Sequence, residues 1–220
     1  MVYSISYGDE MKKIFVLFVL LFSVSSLTSM NYFKLEEITP DAKTIKKSEN
    51  YKIEGKILKF QSERVKIEVE PLLIKDISSY FKSKGLENPF EDVPEGFNYI
   101  FFRTKIENLS KGVALDFSPS MVILNDMVSK DDSTVYEMFY DKKNGEKYLD
   151  ILGKTLFFKP LSLPPQMWIE RLLFFEYDDI VSTKRFLLTF SNLTQGREIF
   201  DVSFPFRTKF VKEKNDGQNS

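Results

Sequence analysis

The sequence predicts a mainly β fold, an antiparallel β-sandwich of about seven to eight strands with one or two short inserted helices. The 220 residues include 22 Phe and 10 Tyr, and aromatic side chains favour strands. In the segment 199–208 every second residue is apolar, which is typical of a strand with one buried face. These apolar positions are Phe200, Val202, Phe204 and Phe206.

The same reasoning assigns the other strands. They are predicted at residues 53–57, 65–69, 99–107, 113–117, 121–124, 167–177 and 185–190. The segment 167–177 is apolar on both faces at its centre, as a central strand would be. For the first two strands, a loop centred on Ser62 would place Ile57 opposite Ile67, whereas a slip by one residue would set Ile57 against Glu68. The first register is therefore predicted.

Two helices are expected to interrupt the strands. Residues 73–84 carry apolar side chains at helical spacing. Thr134, followed by Glu137, has the pattern of a capping box and predicts a helix of about two turns that ends at Tyr140. Adjacent phenylalanines at 101–102, 157–158 and 174–175 place one ring on each sheet face. We expect these helices, or a partner, to cover the ring outside the sandwich.

The N-terminus has the three parts of a secretory signal peptide, predicted over residues 1–29. Two lysines precede an apolar run at 14–22, about half the length of a bilayer-spanning helix, and small polar residues follow. We expect translation to start at Met11, because the acidic residues upstream of it are unusual in a signal peptide, and cleavage to follow Ser26 or Ser29. The alternative is an uncleaved anchor, through which alone the protein would contact the membrane.

The rest of the chain divides into three parts. Residues 30–50 are polar without sustained periodicity and are predicted to be a leader or linker, residues 51–209 form the sandwich domain, and residues 210–220 are predicted to be a disordered tail. An exported chain of this kind is expected to be periplasmic or extracellular.

The composition excludes several kinds of chemistry. The sequence contains no Cys and no His, so that disulfides, thiolate nucleophiles, cysteine-ligated metals and Ser-His-Asp catalysis are impossible. A net charge of −1 argues against nucleic-acid binding through a basic surface. No cofactor is expected, and no residue is assigned a catalytic or metal-binding role.

Three segments resemble immunoglobulin-like β-sandwich domains exported to bacterial envelopes. They are YIFFRTKIENLSKG at 99–112, the LPP step at 163–165 and DVSFPFR at 201–207. The resemblance implies a fold and no particular activity. The similar segments NLSKG at 108–112 and NLTQG at 192–196 are interpreted as equivalent hairpin turns.

Three aromatic residues are candidates for a contact site. Trp168 is the only tryptophan, and burial in the core is the expected position for so large a side chain. If Trp168 is exposed, it could form a platform with Tyr136 or Tyr177 for sugar rings or for apolar side chains of a partner.

Carboxylate groups offer two further possibilities. A calcium site would use acidic pairs, and the candidates are Asp131-Asp132, with Asp126 nearby, and Asp178-Asp179. We expect these residues to lie in solvated loops instead. Two facing carboxylates can also hydrolyse glycosidic bonds. The candidates for that role are Glu68, Glu70, Glu170 and Glu176.

Three functions follow, in order of preference. The first is an exported, non-enzymatic module that binds an envelope protein or has a structural role. The second is a carbohydrate- or lipid-binding module that uses exposed aromatic side chains. The third is a carboxylate-based hydrolase. Exposure of Trp168 would favour the second function, and a cleft with two facing carboxylates would favour the third.

Overall fold

The computed structural model describes residues 32–46, 48–91, 99–177 and 183–213, and the signal peptide predicted over 1–29 lies outside these ranges. The described residues form two antiparallel sheets with a few helices, so the prediction of a mainly β fold is confirmed.

The described residues form twelve strands, four α-helices and a 3-10 helix at Pro119–Met121, so the prediction of seven to eight strands with one or two helices is too low. The seven-stranded sheet consists of β1 (Tyr32–Pro40), β6 (Leu115–Phe117), β7 (Val122–Leu124), β8 (Met127–Val128), β9 (Leu161–Leu163), β11 (Arg185–Gln195) and β12 (Glu198–Glu213). The five-stranded sheet consists of β2 (Tyr51–Glu54), β3 (Ile57–Gln61), β4 (Val65–Leu73), β5 (Tyr99–Asn108) and β10 (Trp168–Glu176). The helices are α1 (Ala42–Ile45), α2 (Ile74–Ser83), α3 (Asp132–Phe139) and α4 (Gly145–Thr155).

The larger hydrophobic core lies between the two sheets. Period-two alternation directs one face of each long strand into it, and side chains from both sheets meet there. The ring centroids of Phe102 on β5 and Phe206 on β12, for example, are 5.4 Å apart. The helix predicted at 73–84 is confirmed as α2, and the long strand predicted at 167–177 is confirmed as β10.

A second core lies on the outer face of the five-stranded sheet, where α2, α3 and α4 cover part of that face. Phe101 and Phe174 belong to this second core, whereas their neighbours Phe102 and Phe175 belong to the first. The expectation that adjacent phenylalanines serve opposite faces, with helices covering the outer ring, is confirmed for these two pairs.

The prediction of a single strand at 53–57 is wrong, because these residues belong to a hairpin. Gly55, with φ +62°, turns the chain between β2 and β3, so that Glu54 lies opposite Ile57. The register predicted for the two strands on either side of the loop at Ser62, which are β3 and β4, is also wrong. Phe60, rather than Ile57, lies opposite Ile67.

The leader predicted at 30–50 and the tail predicted at 210–220 both contain sheet residues. Strand β1 pairs with the C-terminal half of β12, which extends to Glu213. A bulge lies between Leu35 and Glu37, and it allows both Leu35 and Ile38 to point into the core although they are three positions apart. This spacing explains why β1 shows no period-two pattern in the sequence.

Asp41 joins the end of β1 to the last two strands. Its buried carboxylate accepts hydrogen bonds from the backbone N–H of Lys43 at 3.2 Å and from the Thr44 hydroxyl at 2.9 Å, which caps α1. It also accepts a hydrogen bond from Arg207 Nε at 2.9 Å and lies 3.6 Å from Arg185 Nε. Burial raises the pKa of Asp41, but the bonds from Arg207 and Thr44 and the charge of Arg207 outweigh burial and bring this pKa below its ordinary value.

Asp41→Asn is expected to lower the free energy of unfolding at pH 7 by about 2 kcal/mol, because it removes the charge between the two arginines. Since the pKa of Asp41 is lowered on folding, its contribution is present above the unfolded pKa of about 4 and is lost as the pH falls below it. Urea unfolding at several pH values should show the gap between wild type and variant constant above about pH 5 and closing below pH 4.

Asp116→Asn, at an exposed position of β6, is the control, with an expected change within about 0.5 kcal/mol. A gap between wild type and Asp41→Asn that does not change from pH 7 to pH 3 would contradict the linkage.

The helical hairpin formed by α3 and α4 differs from the prediction. Asp131, not Thr134, caps α3: the Asp131 carboxylate accepts the backbone N–H of Thr134 at 3.1 Å. The helix α4 was not predicted. It begins at Gly145, where a Cβ atom would overlap the carbonyl oxygen of Phe139, so the close approach of the two helices requires glycine.

Candidate contact surface around Trp168

Trp168 opens β10 and is 57% exposed, so the expectation that it is buried is wrong. Its side chain lies on the same face of the strand as Leu172 and Phe174, which the helices bury. Trp168 is four residues, or about 13 Å, before Leu172 along the strand, and the helices do not extend over it.

Lys105 of the neighbouring strand β5 covers one side of the indole ring. The Nζ atom of Lys105 lies 4.3 Å from the ring centroid, a cation–π contact. Glu107 lies directly opposite Trp168 in the sheet, and Glu170 lies opposite Lys105. Glu170 in turn forms an ion pair of 3.3 Å with Lys84 after α2. Trp168 is therefore an exposed aromatic ring with charged neighbours on the same face.

The part of this outer face farther from Trp168 carries a network of ion pairs. Lys59 Nζ lies 2.6 Å from Glu54 and 3.6 Å from Glu68, and Lys66 Nζ lies 2.8 Å from Glu68. Hydrogen bonds from Lys59 and Lys52 lower the pKa of Glu54 to about 2. Burial raises the pKa of Glu68, but Lys66 outweighs burial and brings it below its ordinary value. These carboxylates are thus ionised and paired at neutral pH.

Asn108, at the end of β5, ties together the loops beside Trp168. Its buried Nδ2 donates to the carbonyl oxygens of Val113 and Leu163, both at 2.9 Å. Its Oδ1 accepts from Ser110 N at 3.0 Å and from Gln195 Nε2 at 2.8 Å. The backbone N–H of Asn108 also donates to the carbonyl oxygen of Met167. The side chain of Asn108 therefore links the two sheets, and its backbone binds the residue before Trp168.

The sequence suggested that the similar segments at 108–112 and 192–196 are equivalent hairpin turns, and this interpretation is wrong. The first connects β5 to β6, which belong to different sheets. In the second, β11 continues to Gln195, and Asn192, with φ +55°, occupies a bulge. The hairpin turn comes afterwards, at Gly196, with φ +67°.

Three further apolar side chains are exposed at the end of the sandwich where Trp168 lies. Met167 is 53% exposed, Val113 is 42% exposed and Ile199 is 66% exposed. An ion pair between Arg64 and Glu198 joins the turns of the two sheets at this end. Ile199 alternates with the buried Val202 and Phe204, so it lies on the outer face of the seven-stranded sheet, away from Trp168. We call Trp168 and its chain neighbour Met167 the Trp168 surface. The sequence analysis did not name Met167 as a contact residue.

The structure does not bring the three predicted aromatic residues together. Tyr136 lies on α3, where its ring is 4.8 Å from that of Tyr140. Tyr177 follows the last residue of β10 and packs with Phe210, at a centroid distance of 6.4 Å. Nine residues of extended strand, about 30 Å, separate Tyr177 from Trp168. A single platform of Trp168 with Tyr177 is therefore not formed.

The acidic pairs have structural partners where they are described. Asp131 caps α3, and its hydrogen bonds from Thr134 and Ser133 lower its pKa. Asp178 and Asp179 lie outside the described residues. Within the described ranges, no group of three or more acidic side chains could hold a metal ion.

Each carboxylate considered for glycoside hydrolysis forms an ion pair. Glu68 pairs with Lys66, and Glu70 pairs with Arg103. On β10, which is an edge strand of the sheet, Glu170 pairs with Lys84, and Glu176 pairs with Lys130 at 2.7 Å. These side chains are distributed over two strands as parts of separate pairs.

No known protein family, no curated protein and no solved structure matches the chain. Among the described residues, no helix has the length and the apolar composition that crossing a membrane requires.

Proposed function

We propose that this protein is an exported, non-enzymatic β-sandwich that binds a protein partner in the cell envelope through the Trp168 surface. The observation that carries the proposal is the exposure of Trp168, next to exposed Met167, on a strand whose other large apolar side chains are largely buried. Tryptophan, methionine and arginine are enriched in protein interfaces, and tryptophan often contributes most of the binding energy.

The surroundings of Trp168 support the same proposal. The ring rests against Lys105, and the hydrogen bonds of Asn108 hold the neighbouring loops, so little conformational freedom is lost when a partner binds. The charged rim contains Glu107, Glu170 and Arg64. An apolar centre with a charged rim is the usual anatomy of a protein interface.

Trp168→Ala is expected to weaken binding of the partner at least tenfold, because an aromatic side chain at the centre of an interface typically contributes about 2 kcal/mol or more. The full-length tagged protein would be crosslinked in its own cells, and a stoichiometric companion would be identified by mass spectrometry. The dissociation constant of the purified pair would then be measured for wild type and variant.

Tyr140→Ala is the matched control, since Tyr140 is an exposed aromatic residue on the helical layer, outside the Trp168 surface. Unchanged affinity of Trp168→Ala, or an equal loss in both variants, would contradict the assignment of the surface. Failure to capture any companion would contradict binding to a protein.

The second candidate is a glycan, and the exposed indole ring is the observation that favours it. A sugar ring can stack on the face of Trp168 that Lys105 does not cover. Because Trp168 is the only tryptophan in the sequence, quenching of its fluorescence by envelope glycans reports this binding directly. Saturable quenching without a protein companion would favour the glycan over the protein.

Export is part of the proposal and is supported by the sequence before residue 30. Two lysines, an apolar run and small residues follow Met11 in the order of a signal peptide. The N-terminus of the protein isolated from its own cells should lie just after Ser26 or Ser29. A peptide that contains residues 3–10 would contradict the start at Met11.

We also propose an immunoglobulin-like topology for the sandwich. Two facing antiparallel sheets and the regular alternation of β12 support it. An experimental structure that does not superpose on immunoglobulin-like domains would contradict this assignment.

A further inference from the structure

A groove lies between α3, α4 and the segment 156–159, and two of the residues that line it, Val135 and Leu152, belong to the second core. Its volume is about 840 Å³, which is in the range of small-molecule sites. Apolar side chains line much of its wall, and they come from both helices and from the segment after α4. They are Val135, Tyr136, Leu149, Leu152 and Phe158.

Arg171 of β10 reaches this groove as a half-buried cation. Its Nη1 donates to the carbonyl oxygen of Leu156 at 3.2 Å. In the part of the chain that the structure describes, no carboxylate forms an ion pair with it, whereas Lys154 of the same wall is paired with Asp150. A half-buried guanidinium with most of its donors unused favours an anion.

The other charged groups on the wall leave a positive excess. Lys154 is paired with Asp150 at 2.6 Å, and Lys159 lies 5.3 Å from the ring centroid of Phe158. Asp132 accepts the backbone N–H of Ser133 at the start of α3. The groove thus has apolar walls, one internal ion pair, and two cations against a single remaining carboxylate.

We propose that this groove binds a fatty-acid-like ligand, with its carboxylate on Arg171 and its aliphatic chain along the apolar wall. A carboxylate fits the planar fork of the guanidinium in a bidentate manner. The aliphatic chain removes Leu149 and Phe158, both half-buried, from water. This site is separate from the Trp168 surface, and its ligand does not depend on the partner proposed there.

The charge and the chain of the ligand are tested separately on the full-length wild-type protein. Isothermal titration with dodecanoate below its micellar concentration should show saturable binding of one molecule. Dodecanol, which keeps the chain and removes the charge, and butyrate, which keeps the charge and removes most of the chain, should each bind at least tenfold more weakly. Equal binding of dodecanol, or no saturable binding of dodecanoate, would overturn the proposal.

Substitutions of lining residues test whether the ligand binds in this groove. Arg171→Gln should weaken dodecanoate at least tenfold and leave dodecanol unchanged, and Lys159→Gln should weaken dodecanoate by a smaller factor. Lys143→Gln makes the same change of charge at an exposed position that does not line the groove, and it should bind as wild type does. Leu149→Gln should weaken both long-chain ligands. Unchanged affinity of a folded Arg171→Gln, or of Lys159→Gln and Leu149→Gln together, would overturn the proposal.

Discussion

Asn108→Ala is expected to lower the free energy of unfolding by about 4 kcal/mol, because it removes one buried side chain that is hydrogen-bonded to four polar groups. Two of these are backbone carbonyls, of Val113 and Leu163, and the other two are donors, of Ser110 and Gln195. A polar group that loses a hydrogen bond where water does not reach it typically costs about 1–3 kcal/mol, and water that enters the cavity recovers part of the sum.

Urea unfolding followed by circular dichroism measures this loss, and the similar segment NLTQG at 192–196 provides the control. Asn192 begins NLTQG as Asn108 begins NLSKG, but its side chain is exposed. Asn192→Ala should cost only about 1 kcal/mol, which is the strain of alanine at φ +55°. Gln195→Ala, which removes one bond of the four, should lie between the two. Equal losses at Asn108 and Asn192 would contradict the role of the network.

Phe174→Ala is expected to cost about 4 kcal/mol, because it opens a cavity between the helices and the five-stranded sheet. The ring of Phe174 is stacked on Phe101 at a centroid distance of 5.2 Å and meets Phe90 and Tyr99 edge-on at 5.3 and 4.9 Å. Neighbours from a sheet and from the segment after α2 cannot both move inward to fill the space.

Trp168→Ala is the matched control for Phe174→Ala, since the two aromatic side chains lie on the same face of β10. The exposed position should lose about 1 kcal/mol or less, mainly the contact with Lys105. Because Trp168 is also the only tryptophan, circular dichroism rather than fluorescence must follow unfolding in both variants. A loss at Trp168 as large as that at Phe174 would show that the ring supports the fold.

The absence of histidine from the sequence gives the protein a simple dependence on pH. No side chain with an ordinary pKa between 5 and 8 is present, so stability should be nearly constant across this range. Acid should act through carboxylates whose pKa values are lowered on folding, such as Asp41 and Glu54.

Sequence patterns predicted the elements whose side chains alternate without interruption. The last strand, the long strand β10 and the helix α2 were recognised in this way, as was the division of Phe101 and Phe102 between two faces. Apolar residues repeat every two positions in a half-buried strand and every 3.6 positions in a helix, and both repeats can be read from neighbouring residues alone. In a strand, a shift by one residue would turn every side chain to the opposite face, so the pattern also identifies the buried face. The local sequence therefore determines these elements and the faces that they bury.

Only the tertiary structure decided the features that depend on distant neighbours. Strand β1 exists because β12 pairs with it and a bulge corrects its spacing, and neither condition is visible in residues 32–40. Asn108 and Asn192 begin nearly identical segments, yet one is buried between the sheets and the other lies on a bulge. Trp168 is exposed because the helices end before they reach it. Burial and pairing are set by what packs against a residue, and in a sandwich those neighbours come from far along the chain.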